Sequence, residues 1–189
     1  MNIPNQLTCI RIVLAGVFMW LVASPGAVCK TLALLTFLAA TLTDYFDGRI
    51  ARSRGQITQF GKLMDPIADK LLTFSAFIMF VQMGLVPAWS VALIVVRDLA
   101  VTGARLMMPH SGRVAADSSG KQKTVIQFAF IVGVLLFVSL REWPGWQAGW
   151  NAPVLGFVHG AMLFVVAVTL WSGALYLAKN RDFFEKSSA

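Results

Sequence analysis

Residues 31–53 read TLALLTFLAATLTDYFDGRIARS. From Thr31 to Thr43 there is no charge; then Asp44, Asp47, Arg49 and Arg52 follow within three helical turns. An uninterrupted apolar run of this length reads as a helix that crosses, or nearly crosses, a bilayer. A run that closes on carboxylates and guanidinium groups reads as one whose last turns do chemistry at the membrane surface.

Similar stretches recur on both sides of it. Six apolar segments are legible, over residues 7–24, 31–53, 64–85, 87–108, 119–140 and 155–178. Helix-stopping residues separate them: Ser24-Pro25-Gly26, Gly84 to Pro87, Pro109 to Gly112, and Trp143-Pro144-Gly145. There is no linker, repeat or low-complexity tract, so the sequence predicts a single domain over residues 1–189. The expected fold is all-α, a polytopic bundle of six transmembrane helices. Composition agrees. Of 189 residues, 57% are hydrophobic and 13% charged, against about 25% charged in soluble domains. The apolar run from Ile12 to Val22 has no basic residue before Arg11, which argues for an uncleaved first helix over a signal peptide. Cys9 and Cys29 form neither metal-ligand spacing nor a disulfide framework.

The net charge of +7 does not call for nucleic acid, because the bases cluster at the ends of apolar stretches, where anionic lipid headgroups are the simpler partner. Arg49, Arg52, Arg54 and Lys62, then Arg113, Lys121 and Lys123, then Lys179, Arg181 and Lys186 fall on one side. Lys30 and Arg141 fall on the other. This asymmetry predicts cytoplasmic termini. Trp143, Trp146 and Trp150 suit an aromatic belt at the outer interface.

Each charge inside a membrane helix costs about 2.5–3.5 kcal/mol even on lenient scales, so intramembrane charges are functional by default. Asp44 and Asp47 are three apart; Asp65 and Asp69 are four apart. Each pair shares a helix face, and a short connection between the two helices lets all four carboxylates enter one pocket. Four close carboxylates stay ionised only if cations neutralise them. With oxygen donors and no nearby His or Cys, the cations are hard ones such as Mg²⁺, Mn²⁺ or Ca²⁺, and four shared carboxylates suit two metals. Gly48 and Gly61 leave room for close helix packing or a ligand. Arg52, on a face similar to that of Asp44, can grip a diphosphate.

These residues carry a resemblance. Asp44-Tyr45-Phe46-Asp47-Gly48-Arg49-Ile50-Ala51-Arg52 and Gly61-Lys62-Leu63-Met64-Asp65-Pro66-Ile67-Ala68-Asp69 match D-x-x-D-G-x-x-A-R-x8-G-x-x-x-D-x-x-x-D, the signature of the CDP-alcohol phosphotransferase family. The chain also resembles the bacterial phosphatidylglycerophosphate synthase branch in Asn2 to Thr8 with Arg11, in Phe60 to Lys70, and from Arg97-Asp98 through Thr102-Gly103-Ala104-Arg105 to Gly120-Lys121-Gln122-Lys123-Thr124 and Gln127. It departs from that branch at Asp98, where Glu is usual. The resemblance covers residues 1–127; beyond it only two apolar spans match.

The resemblance implies transfer of a phosphatidyl group from CDP-diacylglycerol to an alcohol with release of CMP, in phospholipid biosynthesis at the bacterial inner membrane, with the active site facing the cytoplasm. It implies two divalent cations, Mg²⁺ or Mn²⁺, on Asp44, Asp47, Asp65 and Asp69, with Asp69 also the general base. It implies a nucleotide site at Gly48, Ala51 and Arg52, with Gly61 beside it, and a chain often paired as a homodimer. The branch points to glycerol 3-phosphate as acceptor, its phosphate meeting Arg97, Arg105, Lys121 and Lys123; inositol phosphate would need a basic pocket too, whereas serine would not. Arg97 lies two turns deeper than Arg105 and needs a partner such as Asp98, Asp44 or Asp47. A divalent-cation transporter would explain the aspartates but not Arg52 or Gly48, and the outer halves of the helices are too apolar for a through-path.

Overall fold

The computed structural model describes the backbone of residues 3–53, 59–107 and 118–181, and the side chains of residues 10–43, 70–105 and 122–181. The described backbone is helical throughout apart from its connections. The elements are α1 (Ile3–Ala23), α2 (Ala27–Ser53), α3 (Gln59–Gln82), α4 (Ala88–Met107), α5 (Ser118–Arg141) and α6 (Asn151–Lys179), with a short 3₁₀ turn, Ala148–Trp150, before α6. The six expected segments are the six helices. Several begin up to five residues earlier than the apolar runs, because a helix extends past its greasy stretch wherever nothing stops it.

What does stop the helices is local. After α1, Ser24 donates from both its backbone N–H and its hydroxyl to the Trp20 carbonyl, and Gly26 turns the chain at φ +97°. After α3, Gly84 at φ +68° closes a Schellman turn: Leu85 N–H donates to Phe80 O and Gly84 N–H to Val81 O, both at 2.9 Å. That turn ends α3 at Gln82, three residues before the end of the apolar run. Pro87 then opens α4, its carbonyl accepting from Ser90 Oγ. After α5, Trp146 packs edge-on to Phe137 and donates from Nε1 to Asn151 Oδ1 at 2.8 Å. One tryptophan of the expected outer belt is thus a structural clamp; Trp143 and Trp150 stay exposed.

α1 packs against both α2 and α3; α5 bridges α2 and α6; α4 lies on α3 and α6. Aromatic rings fill the centre. Phe37 meets Phe18 and Phe128, and Phe77 stacks on Phe130 with Phe80 edge-on. Lys30 is buried and donates to the Val22 carbonyl, one of the carbonyls α1 leaves without an intrahelical donor. Next to it, Thr31 Oγ1 and Ser139 Oγ lie 2.7 Å apart and pin α2 to α5.

The surface inverts the pattern of a soluble protein. Val13, Trp20, Val28, Val96, Phe157 and Trp171 point outward, while Asp98, Lys123, Gln127, Thr169 and Ser172 are buried. That is the arrangement of a protein whose solvent is lipid. Two apolar stretches among the described residues are long enough to cross a membrane, Gln122–Arg141 and Ala148–Lys179; those in α1, α2 and α3, at Ile10–Ala23, Ala27–Thr43 and Lys70–Gln82, are shorter.

Candidate active site

The backbone carries the aspartate motif as expected. Asp44 and Asp47 lie in the continuous helix of α2, Asp65 and Asp69 in that of α3, so each pair keeps its helical phase. The side chains of these four, and the surroundings of Gly48, Ala51, Arg52, Gly61 and Lys121, lie outside the described residues.

One residue beyond Asp69, the side chains are described, and they converge. Lys70 on α3 reaches Asp98 on α4, Nζ to Oδ2 at 3.1 Å. Arg97 Nη1 is 3.2 Å from Asp98 Oδ1, and Lys123 on α5 donates to the same oxygen. The Asp98 carboxylate is fully enclosed, with the side chains of Lys123 and Arg97 at 3% and 12% exposure and that of Lys70 at 27%. Two of the four expected acceptor-site bases, Arg97 and Lys123, therefore meet on one carboxylate, joined by Lys70. Arg97 has the partner it needs, and the partner is Asp98.

Arg105, two turns along α4, stands apart from this cluster, its guanidinium carbon 5.7 Å from the centre of the Tyr176 ring on α6. Arg97 reaches α6 as well: Nη2 donates to Ser172 Oγ at 2.9 Å, and its stem lies against the bare backbone of Gly173. From α5, Gln127 Nε2 donates to Thr169 Oγ1 at 3.1 Å.

Thr169, Ser172, Gly173 and Tyr176 stand at i, i+3, i+4 and i+7, one face of α6. This face was missed from sequence. Its signal was there, a period of three to four in small and polar residues along a helix otherwise almost wholly apolar, but α6 lies beyond the stretch that carried the resemblance. Lys70 was visible as a charge without a role, and Asp98 as a shortened carboxylate. The shortening is no handicap, since Asp98 touches all three cations.

Among the described residues, one carboxylate, Asp98, faces three cations, Lys70, Arg97 and Lys123. Charges brought together in a largely buried setting interact more strongly than at a surface. Among the described residues the cluster lies next in sequence to Asp69 on α3, and consecutive Cα atoms are only about 3.8 Å apart.

Known proteins share this chain's pattern. The family model for CDP-alcohol phosphatidyltransferase matches residues 1–175. The chain is 34% identical to the CDP-diacylglycerol–glycerol-3-phosphate 3-phosphatidyltransferase of Bacillus subtilis (strain 168), covering 99% of each. It is 35% identical to a probable phosphatidylglycerophosphate synthase of Mycobacterium tuberculosis over 94% of this chain and 81% of that one. A Yersinia pestis CDP-diacylglycerol–glycerol-3-phosphate 3-phosphatidyltransferase is 31% identical over 94% and 93%. The family match runs past residue 127, through α5 and most of α6, so Ser172 and Gly173, which receive Arg97, fall within it as the aspartate motif does, while Tyr176 lies one residue beyond its end. The chain belongs to the CDP-alcohol phosphatidyltransferase family.

Proposed function

We propose that this protein transfers the phosphatidyl group of CDP-diacylglycerol to glycerol 3-phosphate, giving phosphatidylglycerophosphate and CMP. The observation that carries the reading is the convergence of Lys70, Arg97 and Lys123 from three helices on Asp98 among the described residues. Clustered cations suit an acceptor that bears a phosphate, as glycerol 3-phosphate and inositol phosphate do; serine, which is neutral overall, does not call for them. The relatives' names agree, since those proteins are named for glycerol 3-phosphate.

Asp44, Asp47, Asp65 and Asp69 offer oxygen donors only, which fits hard divalent cations, Mg²⁺ or Mn²⁺. Two such ions there would neutralise the donor diphosphate and the departing CMP. Gly48, Ala51, Arg52 and Gly61 would take the nucleotide, Arg52 forming charge-assisted hydrogen bonds to phosphate oxygen. Arg97, Arg105, Lys121 and Lys123 would hold the acceptor phosphate and so aim its free hydroxyl. The hydroxyl oxygen forms a bond to the phosphatidyl phosphorus as the bond from that phosphorus to the CMP oxygen breaks. The hydroxyl proton passes to the Asp69 carboxylate, and CMP leaves with the electron pair. Holding both reactants this way lets orientation carry a large share of the rate enhancement.

In the same reading six helices span the inner membrane, with termini and active site on the cytoplasmic side, where the water-soluble acceptor enters and CMP is released. A second copy of the chain is the expected partner in the bilayer.

The test is CMP release by detergent-purified protein given CDP-diacylglycerol and Mg²⁺, with glycerol 3-phosphate, inositol phosphate, serine or no acceptor in parallel. Release that requires both glycerol 3-phosphate and metal is expected. Release with inositol phosphate instead would keep the chemistry and move the acceptor; no release from folded protein with any acceptor would remove the assignment.

A further inference from the structure

One close approach sets Gly173 apart within α6. A methyl group on Gly173 would sit 2.8 Å from Nε and 3.0 Å from Cγ of Arg97, closer than carbon and nitrogen tolerate without movement. At Gly156 and Gly160 on the same helix, a methyl group would meet nothing within 4 Å. Gly173 is thus the described glycine of α6 whose missing side chain is occupied by another residue. That residue carries a guanidinium, buried in a helix bundle, with Nη2 on Ser172, Nη1 on Asp98 and an Nε that has no hydrogen-bond partner among the described residues. An arginine is held here by shape as much as by hydrogen bonds. One turn further along, the Tyr176 ring lies under Arg105.

We propose that the Ser172–Gly173 step of α6, extended by Tyr176, is a positioning seat for the two arginines of α4, and that Gly173 sets where the Arg97 guanidinium sits. Ser172, Gly173 and Tyr176 are positioning residues; they act on the acceptor through Arg97 and Arg105. The proposal rests on the reading that Arg97 faces the acceptor phosphate. Its physical content is that a methyl group at Gly173 is relieved by moving a long side chain and not by moving backbone. The helix survives, since alanine favours it more than glycine does, while the guanidinium shifts. A bidentate contact to phosphate tolerates little displacement.

The experiment compares Gly173→Ala, Ser172→Ala, Arg97→Ala and, as a control on the same helix, Gly160→Ala. For each, KM for glycerol 3-phosphate, KM for CDP-diacylglycerol, kcat and thermal midpoint are measured in detergent. The expected result for Gly173→Ala is a rise of about tenfold in the acceptor KM, with the donor KM and the thermal midpoint unchanged. Ser172→Ala should move the same constant in the same direction, and Gly160→Ala should match the parent. If Arg97→Ala raises the acceptor KM while Gly173→Ala and Ser172→Ala behave as the parent, the seat is wrong and the acceptor reading stands. If Arg97→Ala leaves the acceptor KM unchanged, the acceptor reading of Arg97 falls and takes the seat with it. Equal changes in both KM values, or a lowered midpoint that accounts for the lost activity, would make Gly173 a packing residue only. Should Gly173→Ala fail to fold, that too contradicts the proposal, and Ser172→Ala, which removes one oxygen, checks the same point independently.

Discussion

Asp98 is where three cations from three helices meet, and removing its charge leaves Lys70, Arg97 and Lys123 facing one another. Breaking a buried pair by deleting one partner costs about 3–5 kcal/mol, so Asp98→Asn is expected to lower the thermal midpoint sharply and to abolish detectable CMP release. Asp98→Glu keeps the charge on a longer arm and should retain activity; a variant as inactive as Asp98→Asn would show that the site needs the shorter reach as well as the charge. Arg105 and Lys121 probe the acceptor reading away from this hub. Arg105→Ala and Lys121→Ala are each expected to raise the glycerol 3-phosphate KM by about tenfold, one charged contact to a phosphate being worth roughly 1.5–3 kcal/mol. Unchanged acceptor kinetics in both would remove them from the site. At this scale the sequence supplied the list of charges and their helical phases, whereas the pairing of Arg97, Lys123 and Lys70 on one carboxylate depends on residues far apart in the chain.

The helices themselves follow from local chemistry. Ser24, Gly26, Gly84 and Pro87 end and begin them at the positions that their hydrogen bonds and positive φ angles show. Gly84→Ala tests this: an L-residue in a left-handed conformation costs about 1–2 kcal/mol. The expected outcome is a lower thermal midpoint with KM values unchanged, because the Schellman turn is separated from Lys70 by three turns of α3. A midpoint equal to the parent's would mean that the turn accommodates alanine by another route. The small and polar face of α6 is the element that sequence reading passed over. Thr169, Ser172 and Tyr176 look like ordinary neutral residues of an apolar span until α4 and α5 lay Arg97, Arg105 and Gln127 on them.

Among the described residues an apolar core encloses a few polar groups while apolar side chains also cover the outside; Lys30 meets the Val22 carbonyl beside the Thr31–Ser139 pair, and Lys70 meets Asp98 in the charged cluster. With Asp44, Asp47, Asp65 and Asp69 read as the metal site, chelation with EDTA is expected to abolish CMP release and added Mg²⁺ or Mn²⁺ to restore it; activity that survives exhaustive chelation would rule out the metal role of the aspartates. Orientation has its own test. In a chain with Cys9 and Cys29 replaced by Ser, Gly145→Cys should react with a membrane-impermeant maleimide on intact cells, and Lys179→Cys only after permeabilisation. Both positions are exposed, so the reverse pattern would invert the proposed topology.

The sequence by itself determined the membrane setting, the six helices, the stops at residues 24–26, 84–87 and 143–145, and the spacing of the four aspartates; the stop at residues 109–112 lies outside the described residues. All of these are fixed by composition, by 3.6-residue periodicity or by backbone chemistry within a few residues. Only the tertiary structure decided that Asp98 is the shared counter-charge, that Arg97 lies in the space left by Gly173, and that Trp146 clamps the α5–α6 connection. The physical reason is range. A helix reports its own stops and faces, but the partner of a buried charge is chosen by which other helix packs against it, and a glycine is read as a cavity, a hinge or a seat only once its neighbour is in place.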